Sequence, residues 1–513
     1  MELRTEEGRG RYYAASRDLP RGTVVLDEVA VLAVVNRAYA GIVCATCIDR
    51  LAAVKPSPDD NDGGEEGGGG DRVRCDCGHA TFCNEACKAA VYGGRDALSS
   101  SAPSDEGAEA DERWDFGRNP LAVACAASRA WNEAIPMEEQ ATALGQSSRA
   151  FWVLATMVAL SGDPLVTGLE DHQQSVKDLL NRRAGPPHRL RHWSALLEAL
   201  TDAVEPIESQ ALLFAAACTV ACNAICLTSS TVDANRYAIA IAPRVAMFNH
   251  ACGGPGLCAW THLGGGRVRV ATLDDTEAST PVSISYLDPS RGLAARRSIL
   301  RSNYFFDCTC ERCESDEADE AGRDSGTEES AGHISGANDP AALLEGLIAA
   351  EAAARQGRHL DALSAMGTSV FAGQPPWICL RGALLRAACF EAVGSLGRAR
   401  TELETAVRLG EDRYPSPWWP QLGHLHARLG RLLMDLAAAN ATKAVVLLDE
   451  AADHLQSAAS IYAVACGSES GSESGGTGSG IDESVGRKNA ADPQSAAVER
   501  LLREIHSVRE TLV

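Results

Sequence analysis

The chain has 513 residues, 45% of them hydrophobic and 23% charged, and a formal net charge of −22. Its length excludes a single small core and allows two to four domains. Its acidity excludes a protein that grips nucleic acid through the phosphates, but suits a basic protein substrate. No apolar run reaches the ~18 residues of a membrane span, and the charged start MELRTEEGRG has no apolar segment of the kind a secretory signal needs. There are 18 cysteines, and those in the clusters at 44–87 and 308–313 have the close spacing of zinc ligands rather than of disulfides. Others, such as Cys218, Cys222, Cys379, Cys389 and Cys466, sit in apolar helical text and read as small core residues.

In chain order, residues 10–35 predict short strands, with a turn at Pro20-Arg21-Gly22. Residues 44–92 hold the first cysteine series, interrupted by KPSPDDNDGGEEGGGGD, an acidic glycine-rich insert that cannot pack a core. Residues 93–117 read as a second unstructured insert. Residues 118–230 carry apolar side chains at helical spacing, as in SRAFWVLATMVALSGD. Strand-like text returns over 231–300, in GGRVRVATL and TPVSISYLD, and a cysteine knuckle follows at 301–316. Residues 317–338 read as an acidic linker. Asp339-Pro340 then reads as an N-cap followed by proline at the first helical position. From 339 to 466 the text is alanine- and leucine-rich helix after helix, broken at Gly357, Gly394 and Pro415–Pro420. The small residues suit close antiparallel pairs, as in tetratricopeptide-like arrays, although no exact 34-residue period is visible. A Gly/Ser/Glu linker (467–492) precedes a last helix over 493–513.

Thiolates two to four residues apart can chelate one soft ion from a single turn. Cys44-x2-Cys47, Cys75-x-Cys77 and Cys83-x3-Cys87 form such a series. Cys308-x-Cys310-x2-Cys313 supplies three thiolates and needs a fourth, with Cys252 as the natural donor and Cys258 as its competitor.

Asn249-His250-Ala251-Cys252, then Tyr286-Leu287-Asp288 after a β-like run, then the 308–313 knuckle, resemble the core of a SET-domain methyltransferase. GRYYAASRDL at 10–19 resembles the SET opening that touches the cofactor, and the 44–87 series resembles a MYND zinc finger. Their order is similar to that of the SET-and-MYND protein lysine methyltransferases and covers most of the chain. The resemblance implies an α+β fold. A SET domain (1–43 and 231–300) would be interrupted by a MYND finger (44–92) and a helical insert (118–230), then followed by a post-SET knuckle and a TPR-like helical domain. It implies transfer of a methyl group from S-adenosylmethionine to a protein lysine.

Residue by residue, the family's pattern places Tyr286 near the methyl group, makes Tyr304 the second tyrosine of the lysine channel, and packs Phe306 on the cofactor. Asn249 and His250 match residues that hold its amino-acid and adenosine parts, Arg9, Gly10 and Arg11 the N-terminal cofactor loop, and Asn223 a helix-borne contact. Taken alone, Asn223 could simply bond a neighbouring backbone group. In the family the first and third MYND pairs share a zinc, here Cys44, Cys47, Cys83 and Cys87, and Cys252 closes a post-SET zinc with Cys308, Cys310 and Cys313. A third zinc would take Cys75 and Cys77 but meets Arg95 and Ser99 where the family has His and Cys; His79 and Cys125 are the available substitutes. The chain also has Ala251 where the family has Ser, Thr280-Pro281 where it has Gly-Glu, and GGPG after Cys252. Those departures keep a second reading open, a scaffold that binds peptides through its zinc finger and helical repeats. The expected partner is a protein bearing a target lysine, a histone tail or another, met by a monomer in cytoplasm or nucleus, without nucleic acid or membrane.

Overall fold

A computed structural model describes residues 1–7, 9–30, 32–35, 43–44, 73–74, 81–85, 87, 219, 222–228, 236–264, 266–324, 340–366, 374–467 and 493–512. The insert expected at 93–117, most of the helical insert and most of both later linkers lie outside them. The described strands are β1 (Glu2–Glu6), β2 (Gly10–Ala14), β3 (Val24–Val29), β4 (Leu32–Val35), β5 (Val73–Arg74), β6 (Thr81–Phe82), β7 (Ile225–Thr228), β8 (Arg236–Ile241), β9 (Asn249–His250), β10 (Leu257–His262), β11 (Arg267–Thr272) and β12 (Pro281–Ile284). The described helices are α1 (Leu293–Tyr304), α2 (Glu311–Asp324), α3 (Pro340–Arg355), α4 (His359–Met366), α5 (Pro376–Ala392), α6 (Leu396–Arg413), α7 (Pro420–Ala439), α8 (Ala444–Ala465) and α9 (Pro493–Leu512). The architecture is α+β. None of these helices is long and apolar enough to cross a membrane.

Two compact units form, one from Met1–Leu26, Phe248–Thr261 and Arg269–Val513, the other from Asp27–Met247 and His262–Val268. The first is built on a sheet of order β1-β2-β12-β10-β11-β3, with β9 added beside β12. Interior β10 buries five of its six residues, and in β11 Arg267 is exposed while Val268 and Val270 are buried. Edge strand β1 (ELRTE) is charged and exposed, which guards against pairing with another chain. Pro281 occupies the first position of β12, where a missing N–H is tolerated.

The parallel pairings of β12 position the site. Asn249 and His250 lie opposite Ser283 and Ile284, and Leu257 and Cys258 lie opposite the same two residues. The loop 251–256 therefore carries the chain from one flank of β12 to the other. Gly256 makes this crossing feasible: its φ is +73°, and a Cβ there would sit 2.2 Å from the Pro281 carbonyl oxygen. Gly256, the last residue of the GGPG stretch, is thus a requirement of this crossing.

After the sheet, α2 continues as helix to Asp324, where the acidic text predicted a linker from 317. Helices α3 to α9 then pack in sequence, each hairpin partner beside the next. The tight α7–α8 crossing depends on small residues: a Cβ on Gly423 would lie 2.7 Å from the Tyr462 ring, and one on Gly430 would lie 2.8 Å from Leu455. The array is fixed to the sheet by Arg269, which donates to the Cys466 carbonyl at 3.2 Å, and by the Arg21 guanidinium, 4.4 Å above the Trp418 ring.

The second unit contains the antiparallel sheet β4-β8-β7 and the hairpin β5-β6. There Glu28 accepts the N–H groups of Arg244 and Val245 at 3.1 and 3.0 Å, capping the short turn at Val245–Met247. Burial raises its carboxyl pKa above the ordinary value, and those two hydrogen bonds oppose the shift.

Candidate active site and metal centres

The chain places an aromatic cluster where β9 and β12 end. Tyr286 follows β12, and its hydroxyl donates to the Phe248 carbonyl at 2.6 Å. Its ring lies 4.9 Å from that of Tyr304 and 5.2 Å from that of His250, and Phe306 is 6.0 Å from His250. Tyr304 ends α1, and Phe305 turns the chain in the left-handed region at φ +64°, delivering Phe306 to the cluster. Asn249 Nδ2 donates to the Arg9 carbonyl at 3.2 Å, tying β9 to the β1–β2 turn. Gly10 opens β2 at φ +70°, and Arg11 pairs in register with Thr5.

Directly beneath these rings, Cys252, Cys308, Cys310 and Cys313 bring four sulfurs within 4.8 Å of one another. Tyr304, Phe306 and Leu287 pack against the same core. A tetrahedral zinc with Zn–S bonds of about 2.3 Å needs sulfurs about 3.8 Å apart; Cys313 and Cys252 are separated by 3.6 Å. Three N–H groups face the sulfurs: His250 Nε2 is 3.1 Å from Cys252, the Cys252 amide donates to Cys310 at 3.3 Å, and Arg296 Nη2 donates to Cys313 at 3.5 Å. Hydrogen bonds from the other cluster thiols hold Cys310 well below the usual thiol range. Those from Cys252 and Cys308, together with Arg296, bring Cys313 down to about 6. Contacts with the other three thiols, and then burial, raise Cys252; Cys308 is raised as well, Cys252 opposing and Cys310, Cys313 and burial outweighing it. Four cysteine sulfurs gathered at this spacing fit a soft divalent cation, and the donor set is complete for zinc. Cys258 stands apart: it is wholly buried and faces the Gly256 carbonyl at 3.8 Å.

Arg296 and Arg312, which motif reading missed, frame the cluster. Arg296 is 0% exposed and also bonds the Arg291 carbonyl at 2.6 Å and Asp316 at 2.8 Å. Arg312 donates to the Cys252 carbonyl at 3.2 Å and to the Arg413 carbonyl at 2.6 Å. Arg312 lies inside the knuckle and could have been suspected. Arg296, 12 residues before Cys308, carries no local signal. Burial lowers His250 to about 4; the Cys310 thiolate opposes this and Arg296 adds to it.

A 70-residue segment, 14% of the chain, is 36% identical to histone-lysine N-methyltransferase ATXR4 of Arabidopsis thaliana. That segment spans 21% of the Arabidopsis protein, so the likeness is local. No protein-family model matches the chain.

In the second unit, the sulfurs of Cys44, Cys83 and Cys87 also gather within 4.8 Å, and the Asn84 side chain accepts the Cys87 amide at 2.8 Å. Burial pushes Cys87 up to about 12, with the neighbouring thiols adding to the shift. This cluster too could hold zinc. Cys47, Cys75 and Cys77 lie outside the described residues. Asn223 also belongs to the second unit, where its side-chain amide donates to the Thr219 carbonyl at 2.6 Å, a helix-internal bond.

The aromatic site fits S-adenosylmethionine in its chemistry. Asn249 Oδ1 makes no hydrogen bond among the described residues and is a ready acceptor for an ammonium. The faces of Tyr286, Tyr304 and Phe306 suit a sulfonium.

Proposed function

We propose that the chain is a zinc-containing, S-adenosylmethionine-dependent protein lysine N-methyltransferase of the SET type. In this reading the Cys44 cluster belongs to a MYND-like finger and the helical array to a TPR-like domain. The observation that carries it is the convergence of His250, Tyr286, Tyr304 and Phe306 at the end of β12, seated on the Cys252 cluster, with Asn249 preceding His250 on β9. The local likeness to a histone-lysine methyltransferase supports the same class.

When bound, the cofactor supplies a methyl group activated by a sulfonium. The chain must present a neutral amine. A lysine with pKa near 10.4 costs roughly 4–5 kcal/mol to deprotonate at pH 7. The Tyr286–Tyr304 wall strips water from the ammonium and favours the neutral form. The Phe248 carbonyl fixes the Tyr286 hydroxyl, so the wall keeps its shape as the substrate enters. The substrate, histone or otherwise, is a basic segment that the acidic chain attracts.

The test is calorimetry with S-adenosylhomocysteine, followed by methyl transfer from labelled cofactor to a peptide array. Micromolar binding and transfer are expected, with Tyr286→Phe reducing kcat about 100-fold. No binding to folded, zinc-replete protein rejects the reading. Binding without transfer to any protein favours the scaffold instead.

A further inference from the structure

We propose that the His250 imidazole is a positioning residue that ties the Cys252 cluster to Tyr286, and is not itself a ligand of the cofactor. The inference rests on the reading above for the role of Tyr286. A backbone N–H can only donate, so the 3.0 Å contact from the Tyr286 amide makes His250 Nδ1 an acceptor. The neutral ring then carries its proton on Nε2, and that N–H faces Cys252 Sγ at 3.1 Å. Both nitrogens are thereby committed, leaving the ring no polar atom to offer an adenosine. Only the main chain of His250 remains for that purpose.

The ring is clamped as well as bonded. Tyr286 and Phe306 flank it at 5.2 and 6.0 Å, and His250 is opposite Ile284 in register, two residues before Tyr286. A path of hydrogen bonds therefore runs from Cys252 Sγ through the imidazole to the Tyr286 amide, and the Tyr286 hydroxyl ends on Phe248. A thiolate held by a cation keeps its place and its acceptor strength, so it holds the ring, and the ring holds Tyr286. Without the metal the thiols are free to trade protons, and the ring loses its fixed partner.

The test uses the full chain. Selective ¹⁵N labelling of the 12 histidines in cadmium-loaded protein should show one neutral ring with bare Nδ1, protonated Nε2 and coupling from that proton to cadmium. A His250 protonated on Nδ1, or one whose Nε2 proton shows no coupling to cadmium, overturns the proposal. This measurement needs no variant. His250→Phe keeps the ring and removes the nitrogens; it should speed zinc release from this cluster about 10–100-fold. In excess zinc it should lower kcat while leaving affinity for S-adenosylhomocysteine unchanged, whereas Asn249→Ala should weaken that affinity and leave zinc release alone. Zinc release at the wild-type rate, or cofactor affinity lost with zinc in place, overturns the proposal. If the wild-type protein binds zinc with the stated ring signature but no S-adenosylhomocysteine, the methyltransferase reading fails and the tie between metal and Tyr286 stands.

Discussion

At the scale of single residues, the site depends on a crossing that only glycine permits. Gly256 combines φ +73° with a would-be Cβ contact of 2.2 Å to backbone, so no side chain can relieve the clash. Gly256→Ala is expected to cost about 1–3 kcal/mol from the backbone conformation alone, with the clash adding to it. Gly397→Ala, on α6 with open space around the new methyl, should instead be neutral or stabilise by about 0.4–1 kcal/mol. Urea unfolding of both variants checks the pair; equal effects would show that the crossing is not strained. The residues of the site divide in the same way between legible and hidden. The gathering of Cys252 with Cys308, Cys310 and Cys313 could be read, because thiols at that spacing carry chemistry. Arg296 could not be read, because its role comes from where α1 lays it, against Cys313 and Asp316.

At the scale of elements, the α7–α8 pair contains a pH-sensitive contact. His426 Nδ1 and His454 Nδ1 approach to 2.9 Å across the crossing, and Glu411 lies 4.0 Å from His426 Nε2. Burial lowers His426 to about 4, and the charge on His454 pushes the same way. His454 is also lowered by burial, while Asp453, Glu450, Glu404 and Glu411 draw it back upward. The folded pKa lies below the ordinary 6.5, so the neutral pair contributes its full stability above pH 6.5. That stability is lost as pH falls from 6.5 toward 4, by about 3 kcal/mol for His426. Guanidinium unfolding across this range should show the loss, and His426→Gln should flatten it; an equal slope in the variant would locate the pH dependence elsewhere. Such a pair was invisible in sequence, because His426 and His454 sit on separate helices whose crossing is set by Gly423 and Gly430. The breaks at Gly357 and Gly394 were legible, since both have positive φ at helix ends. The break at Asn440 was not, for it lies in text of unbroken helical composition. Helix α2 was misjudged for the opposite reason: its acidic run suggests a solvated linker, yet Arg296 and Arg297 on α1 hold Asp316 and Glu317 at 2.8 Å.

At the scale of the first unit as a whole, one guanidinium joins the metal cluster to the helical array. Arg312 sits between Cys310 and Cys313, and its two arms bond the Cys252 carbonyl and the Arg413 carbonyl at the end of α6. Burial lowers its pKa, with Arg296 and Arg413 adding their repulsion. Its hydrogen bonds therefore have to offset both costs. Beside it, a Cβ on Gly253 would press within 2.9 Å of the Arg312 side chain, so the loop is closed over it. Stripping zinc from the Cys252 cluster should loosen this loop and withdraw support from the array. The helical signal in far-ultraviolet dichroism is thus expected to melt at lower temperature after chelation. Arg312→Met should cost about 3 kcal/mol, as expected for lost hydrogen bonds to a charged group. It should also shrink the further shift caused by chelation, because the link is already cut. A chelator shift of unchanged size in Arg312→Met would place the coupling instead in Arg413, which also donates to the Ser290 carbonyl at 3.3 Å.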